Sequence, residues 1–161
     1  MLRYSPFSLL SLAVLHAHKD NTLSRYELMS SVNEKLQILL PPASPGAAYP
    51  ALKKLASLKL IDFDHDKVKI NQSGSESLRA ALVASPPPVA LTDIIACMLA
   101  AHESKDKPLQ QEWQKKLGLI LIKNERRGDA SAQNKDTAAS VWCSNTGVFL
   151  QRVSLDLSAL K

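Results

Sequence analysis

Apolar residues near the start of the chain recur at the spacing of a helix. Phe7, Leu10 and Val14 lie three and four positions apart, which predicts a helix from about Pro6 to Ala17. The same short apolar run, behind a single arginine, is also compatible with a secretory signal. We favour a core helix, because the fixed φ and missing N–H of a proline suit the first helical position.

Two further helices are predicted before residue 60, separated by a pair of prolines. Ser24 and Glu27 have the spacing of a capping box, which opens the second helix. Pro41 and Pro42 end it, and Ser44 with Pro45 begins the third. The positions predicted to face the core are Met29, Val32, Leu36 and Leu39 in the second helix, and Ala48, Leu52 and Leu55 in the third.

The pattern changes to strict alternation between residues 61 and 70. Apolar and charged residues alternate on both sides of His65-Asp66, which predicts a two-stranded hairpin with its turn at that dipeptide. Helical spacing returns afterwards, with Leu78 and Leu82 four positions apart.

Three consecutive prolines mark the clearest boundary in the chain. Pro86 to Pro88 form a stiff spacer, which divides the sequence into a domain of residues 1–85 and a region of residues 86–161. An apolar helix is predicted over Thr92 to His102, and a second stripe follows Pro108. Residues 126–139 are polar and predict a loop or a fraying helix end. The last segment, residues 141–161, fits a strand and a helix equally well.

The order of these elements predicts the fold class. Three helices, a hairpin and a helix within 85 residues follow the winged helix–turn–helix plan. We therefore expect a mainly α protein with a small β-hairpin, in which a winged helix–turn–helix DNA-binding domain precedes a helical C-terminal dimerisation region. Aromatic residues make up only 5% of the chain, which agrees with helix packing better than with a β-sandwich.

The net charge of +5 favours a polyanionic partner only mildly, so the argument for DNA rests on a local patch. On the third helix, Tyr49 and Lys53 are four positions apart and share one face, and the helix contains no acid. Lysines there would neutralise phosphates, and the small residues at the helix start would let an anion approach the free N–H groups. The residues predicted to contact DNA are Arg25, Ser44, Gly46, Ala47, Tyr49, Lys53, Lys54, Ser57, Lys67 and Lys69. The alternative is a merely solvated lysine face on a winged helix that binds other proteins.

The segment SPGAAYPALKKLASLKLI, residues 44–61, resembles the third-helix signature of the PadR-like transcriptional regulators. LSRYELMSSV upstream and NQSGSESL downstream resemble two further motifs of that family, and together the similarity covers about 70 residues. The sequence departs from the family pattern at Lys59, where a helix-ending glycine is usual, and in a short hairpin without the usual arginine-tyrosine run. The resemblance implies a cytoplasmic DNA-binding regulator, a repressor that acts as a homodimer.

The resemblance also implies a role for the second half of the chain. Similar regulators dimerise through C-terminal helices, and some bind small aromatic or cationic effectors there, so the final segment is expected to be a helix. Trp113 and Trp142 are candidates to line an effector site. The residues predicted to form the dimer interface are Trp113, Leu117, Leu121, Leu150, Val153, Leu157 and Leu160.

Other classes of function find little support in the sequence. No nucleophile-elbow, Walker or dinucleotide-binding motif occurs among only five glycines, so neither an enzyme nor a cofactor is expected. Cys97 and Cys143 form no CxxC pair, as is typical of free thiols in a reducing compartment. His16-x-His18 lacks the further ligands of a metal site. No apolar run reaches the length of about 20 residues that spans a membrane.

Overall fold

A computed structural model describes residues 4–37, 43–84 and 90–133. Within these ranges the chain forms six α-helices and one three-stranded sheet, which confirms the predicted class of a mainly α protein with a small β element. In chain order the elements are α1 (Pro6–Ala17), β1 (Leu23–Ser24), α2 (Arg25–Leu36), α3 (Pro45–Ser57), β2 (Ile61–Asp64), β3 (Lys67–Ile70), α4 (Gln72–Arg79), α5 (Leu91–Glu103) and α6 (Lys107–Gln133). A single π-helical turn, Ala80–Ala84, extends α4.

Helix α1 lies at the centre of the core and is buried almost all round. Leu9, Leu10 and Leu12 are fully buried, and the helix packs mainly on α5 and α2. Ser11 is tolerated inside this apolar surface because its hydroxyl donates to the carbonyl of Phe7 at 2.8 Å. The prediction of a core helix over Pro6–Ala17 is confirmed.

The sheet contains one strand more than the sequence predicts. β3 lies between β1 and β2 and pairs antiparallel with both. The predicted hairpin is confirmed, and its turn places His65 at φ 53°. β1 has only two residues, which is too short to show an alternating pattern, so periodicity could not have predicted it.

The structure divides the chain into two compact units, Met1–Gln110 and Gln111–Lys161. The first unit includes α5, because residues 94–101 of that helix are all buried and α5 is the main packing partner of α1. Lys35 of α2 also forms an ion pair with Glu103 at 3.0 Å. The compact unit therefore extends beyond the predicted boundary at residue 85. That boundary, with its three prolines, lies outside the described residues, and the functional division stays a prediction.

Helix α6 continues to Gln133, so residues 126–133 form the end of a helix, which is the second of the two predicted alternatives. Several polar residues in this stretch are good helix formers. The spacing of apolar residues does not reveal a helix of this kind. Residues 134–161 lie outside the described residues. They contain Trp142, Cys143 and the four predicted interface residues Leu150, Val153, Leu157 and Leu160.

Helix α3 ends in a Schellman motif with a lysine in the place that usually holds glycine. The Leu60 N–H donates to the carbonyl of Leu55 at 3.1 Å, and the Lys59 N–H donates to that of Ala56 at 2.8 Å. Lys59 adopts φ 57°, a left-handed conformation that crowds its Cβ against the backbone. The departure noted in the sequence is thus a site of backbone strain.

The chain that leaves α3 packs very closely against the start of α4. A Cβ added at Gly74 would lie 2.1 Å from the carbonyl oxygen of Leu60 and 2.6 Å from Cγ1 of Ile70. Asn71 caps α4 by accepting from the Gly74 N–H at 3.0 Å. Its amide also donates to the carbonyl of Lys59 at 3.1 Å. Gly74 is therefore required because the backbones of two elements meet there.

A polar cluster joins α1, α4 and the start of α6. Asp106 accepts from the N–H of Leu109 at 3.1 Å, and its other oxygen lies 3.2 Å from Arg79 and 3.7 Å from His16. Burial lowers the pKa of His16 below its ordinary value of 6.5, although the nearby Asp106 carboxylate opposes this shift and Lys19 and Arg79 reinforce it.

We expect Gly74→Ala to destabilise the protein by about 3 kcal/mol, because the new methyl group overlaps a backbone carbonyl that cannot rotate away. Gly46→Ala is the matched control, since its nearest neighbour would be 3.8 Å away, and it should be neutral or slightly stabilising. Chemical denaturation measures both. Equal stability of the two variants would contradict the close packing.

Lys59→Gly should stabilise the protein by about 1 kcal/mol, because glycine adopts the left-handed conformation without steric cost. The control is Lys53→Gly in the exposed middle of α3, which should destabilise by about 1 kcal/mol. Thermal unfolding would detect opposite shifts of the midpoint. Destabilisation by both substitutions would mean that Lys59 does not hold the left-handed conformation.

The stability of the protein should fall as the pH is lowered through the ordinary pKa of histidine. Because the folded pKa of His16 lies below 6.5, the unfolded chain takes up a proton first, so this contribution is complete above that pH and declines below it. In His16→Gln the drop in the free energy of unfolding between about pH 7.5 and pH 5.5 should be smaller. An unchanged drop would contradict the account.

Candidate nucleic-acid interface

Helix α3 has one buried face and one exposed face. Ala48, Leu52 and Leu55 are at most 1% exposed and hold the helix on the core, as the sequence predicts. The opposite side carries the predicted contact residues, and each of those on or next to α3 is exposed: Ser44, Gly46, Ala47, Tyr49, Lys53, Lys54 and Ser57. Their placement allows a single partner to touch the whole row.

The chain is fixed where it enters α3 by a residue that the sequence did not single out. The side-chain amide of Asn33 in α2 donates to the carbonyl of Ala43 at 2.9 Å, and the Ala43 N–H donates back to Asn33 at 2.8 Å. These two bonds set the position of α3 relative to α2. The only signal in the sequence is a polar amide next to the apolar stripe of α2.

The first turn of α3 is suited to an approaching anion. The Ser44 side chain makes no capping bond, although its carbonyl accepts from the N–H groups of Ala47 and Ala48, each at 2.9 Å. Gly46 and Ala47 leave the backbone accessible, and the helix dipole favours negative charge at this end. Pro50 has no N–H, so the carbonyl of Gly46 receives no helical hydrogen bond.

The exposed middle of α3 carries positive charge without a compensating acid. Within the residues that the structure describes, neither Lys53 nor Lys54 forms an ion pair, and α3 contains no acidic residue. Tyr49 is 40% exposed and lies one turn before Lys53. Ser57 was predicted to contact DNA, but its hydroxyl donates to the carbonyl of Lys54 at 2.8 Å. The hydroxyl is therefore bonded within its own helix.

The hairpin formed by β2 and β3, which we call the wing, has a different electrostatic character. The register places Asp62 opposite Lys69 and Asp64 opposite Lys67, and all four residues are exposed. Opposite charges that face each other across two strands attract and partly cancel. The two wing lysines, predicted as DNA contacts, therefore each have an acidic neighbour that the sequence pattern alone did not pair with them.

Arg25, another predicted DNA contact, is engaged by the wing. Its guanidinium donates to the carbonyl of His65, lies 3.8 Å from the Asp66 carboxylate and stacks 4.9 Å from the centre of the Phe63 ring. The Arg25 N–H also donates to the carbonyl of Asp66 at 3.0 Å. In this structure Arg25 holds the wing turn against the start of α2.

The start of α2 adds an aromatic residue that the sequence prediction left out. Tyr26 is 69% exposed beside the capping box, which is complete as predicted: Ser24 and Glu27 exchange hydrogen bonds at 2.7 and 3.1 Å. These bonds lower the pKa of Glu27, and Lys67 lowers it further. The signal in the sequence that could have identified Tyr26 is an aromatic residue among polar neighbours in the first turn of a predicted helix.

The predicted interface residues of α6 differ in their exposure. Trp113 and Leu117 are already 3% and 4% exposed, whereas Leu119 and Ile122 are 64% and 48% exposed. Leu121 is partly exposed. Among the described residues the buried indole N–H of Trp113 has no hydrogen-bond partner, which is a notable cost for a polar group inside a protein.

Comparison with solved structures gives a weak likeness to several structures, among them those of PadR of Bacillus subtilis. Its crystal structure is 19% identical, with a TM-score of 0.43 over 97% of this chain and 94% of that one. Its complex with p-coumaric acid is 20% identical, with a TM-score of 0.42 over 93% and 99%. Its complex with operator DNA is 19% identical, with a TM-score of 0.41 over 92% and 98%.

No protein-family model matches the chain, and no curated protein matches it. At this identity, DNA and p-coumaric acid are ligands of the Bacillus protein, and a role for either in this chain has to be argued from its own residues.

Residues 4–37, 43–84 and 90–133 contain neither a cluster of metal ligands nor a membrane-spanning helix. No three histidine, cysteine, aspartate or glutamate side chains lie close enough there to share a metal ion. Within the same ranges no helix has the length and apolar character that crossing a membrane requires.

Proposed function

We propose that this protein is a transcriptional regulator that binds double-stranded DNA through the exposed face of α3. The observation that carries the proposal is the acid-free row of Tyr49, Lys53 and Lys54 on a helix whose other face is buried. A helix of this kind fits the major groove, where its lysines would lie beside phosphates. The wing agrees with the predicted fold class, but it adds little positive charge to the proposed DNA-binding surface.

The orientation of α3 supports this proposal because it is fixed at both ends. Asn33 holds the chain before the helix, and the contact between Gly74 and Leu60 holds the chain after it. A DNA-reading helix has to keep its register relative to the base edges, so such supports are expected of it.

We further propose that the regulator is a homodimer and a repressor. Leu119 and Ile122 are large apolar residues exposed to solvent on α6. Burying them against a second copy of the chain would remove apolar surface from water, which is favourable. A two-fold axis would present two copies of α3 to a palindromic site, with centres about 34 Å or a multiple of this apart. The interface residues predicted beyond residue 133 would extend the same contact.

We also propose that a small aromatic molecule relieves the repression. Trp113 supports it, because its buried indole N–H lacks an acceptor within the described residues. A ligand oxygen that accepts this hydrogen bond would offset the cost of the unsatisfied donor. Such a ligand would regulate DNA binding only if it bound one arrangement of the dimer better than the other.

Removal of a single lysine tests the proposal for α3. Lys53→Ala should weaken binding to specific and random DNA alike, because a phosphate contact carries little sequence information. The slope of log affinity against log salt should become shallower by about 0.9 for each protomer bound. Fluorescence anisotropy with labelled duplexes measures both quantities.

Lys107→Ala is the matched control, since Lys107 is an exposed lysine on another helix, and its salt slope should equal that of the wild type. A Lys53→Ala protein with an unchanged slope would show that the lysine row is only solvated. Failure of the wild type to bind any duplex would favour the alternative, a winged helix that binds other proteins.

A further inference from the structure

We infer that the wing of this protein limits sequence-independent DNA binding, with Asp62 and Asp64 as the residues responsible. The inference rests on the proposed function, because it concerns DNA held by α3. It assigns to the two aspartates a role in specificity: they cancel the charge of the wing lysines, so that affinity depends on what α3 itself contacts.

The two elements differ in charge. The wing, residues 61–70, contains three aspartates and two lysines, a net charge of −1 with His65 neutral. Helix α3 contains two lysines and no acid. Arg25 of α2 lies against the wing turn and offsets one of its negative charges, so a DNA-binding surface made from both elements would be basic on the helix and close to neutral on the hairpin.

The register of the sheet explains why the wing lysines do not reverse this balance. Asp62 faces Lys69 and Asp64 faces Lys67 across the strands, on the same exposed side of the hairpin. Side chains that face each other in this way lie roughly 5 Å apart. At the distance of a phosphate, each lysine and its aspartate act nearly as a neutral pair, and the third aspartate, Asp66, is offset by Arg25, whose side chain lies 3.8 Å from its carboxylate.

The wing starts close enough to α3 for its charges to matter. Asp62 follows Lys59, the residue after the helix cap, by three positions, so their Cα atoms are at most about 11 Å apart. This is near the Debye length of roughly 8–10 Å at physiological salt. Asp62 is also held in place, because the amide of Asn71 donates to its carboxylate at 3.3 Å.

The consequence concerns the ratio of specific to random binding. Sequence-independent affinity grows with the number of phosphates that basic residues neutralise. A wing whose lysines are cancelled by aspartates neutralises few phosphates, so it adds little to this term for any sequence. Contacts from α3 to base edges then make up a larger share of the total affinity for the correct site.

The test is the double substitution Asp62→Asn/Asp64→Asn, which removes two charges and keeps an acceptor oxygen for Asn71. Affinity for a random-sequence duplex should rise about two- to fivefold per protomer, the range expected for exposed charge interactions. The gain should shrink as salt is raised. Asp93→Asn on α5, a helix that packs mainly on α1, is the control and should leave affinity unchanged.

The result that overturns the inference is a wild type that binds the random duplex and a double variant that binds it no more tightly at low salt. That outcome leaves the proposed function intact, whereas a wild type that binds no duplex overturns both. Thermal unfolding establishes that each variant is folded. If the double variant unfolds too readily, Asp64→Asn alone, which leaves Asp62 and its bond to Asn71 in place, should still tighten binding.

Discussion

The close approach of Gly74 to the carbonyl of Leu60 is the constraint on which the winged-helix unit depends. No side chain fits between the two backbones, so the end of α3, the first strand of the wing and the start of α4 are fixed relative to one another. Asn71 reinforces this junction through bonds to Lys59, Gly74 and the backbone of Leu60. Because α3 joins the wing over only three residues, any shift here would move both surfaces proposed to lie near DNA.

The remainder of the first compact unit supports α3 from behind. α1 is buried between α2 and α5, and three apolar residues of α3 complete the same core. The exposed side of α3 is thereby left to small residues, a tyrosine and lysines, which contribute little to stability. This separation explains how one helix can serve the core and a charged partner without conflict. Changes on the outer face should affect binding more than folding.

Most helices could be predicted from the sequence because their apolar residues repeat at helical spacing, and the capping box at Ser24 marked one helix start directly. The hairpin was equally clear from its alternation. Features that join distant parts of the chain could not be predicted: the bonds between Asn33 and Ala43, the pairing of Arg25 with the wing turn, and the packing of α5 on α1. Each depends on tertiary distance, which local periodicity does not contain.

The candidate site was predictable to a similar degree. The basic face of α3 follows from residue spacing alone, whereas the cancellation of charge on the wing depends on strand register and became visible only in the structure. Lysine acetylation in the presence and absence of a duplex, read by mass spectrometry, would test this account most directly. DNA should protect Lys53 and Lys54 from modification and leave Lys67 and Lys69 nearly as reactive as before. Equal modification of Lys53 and Lys54 with and without bound DNA would contradict the account.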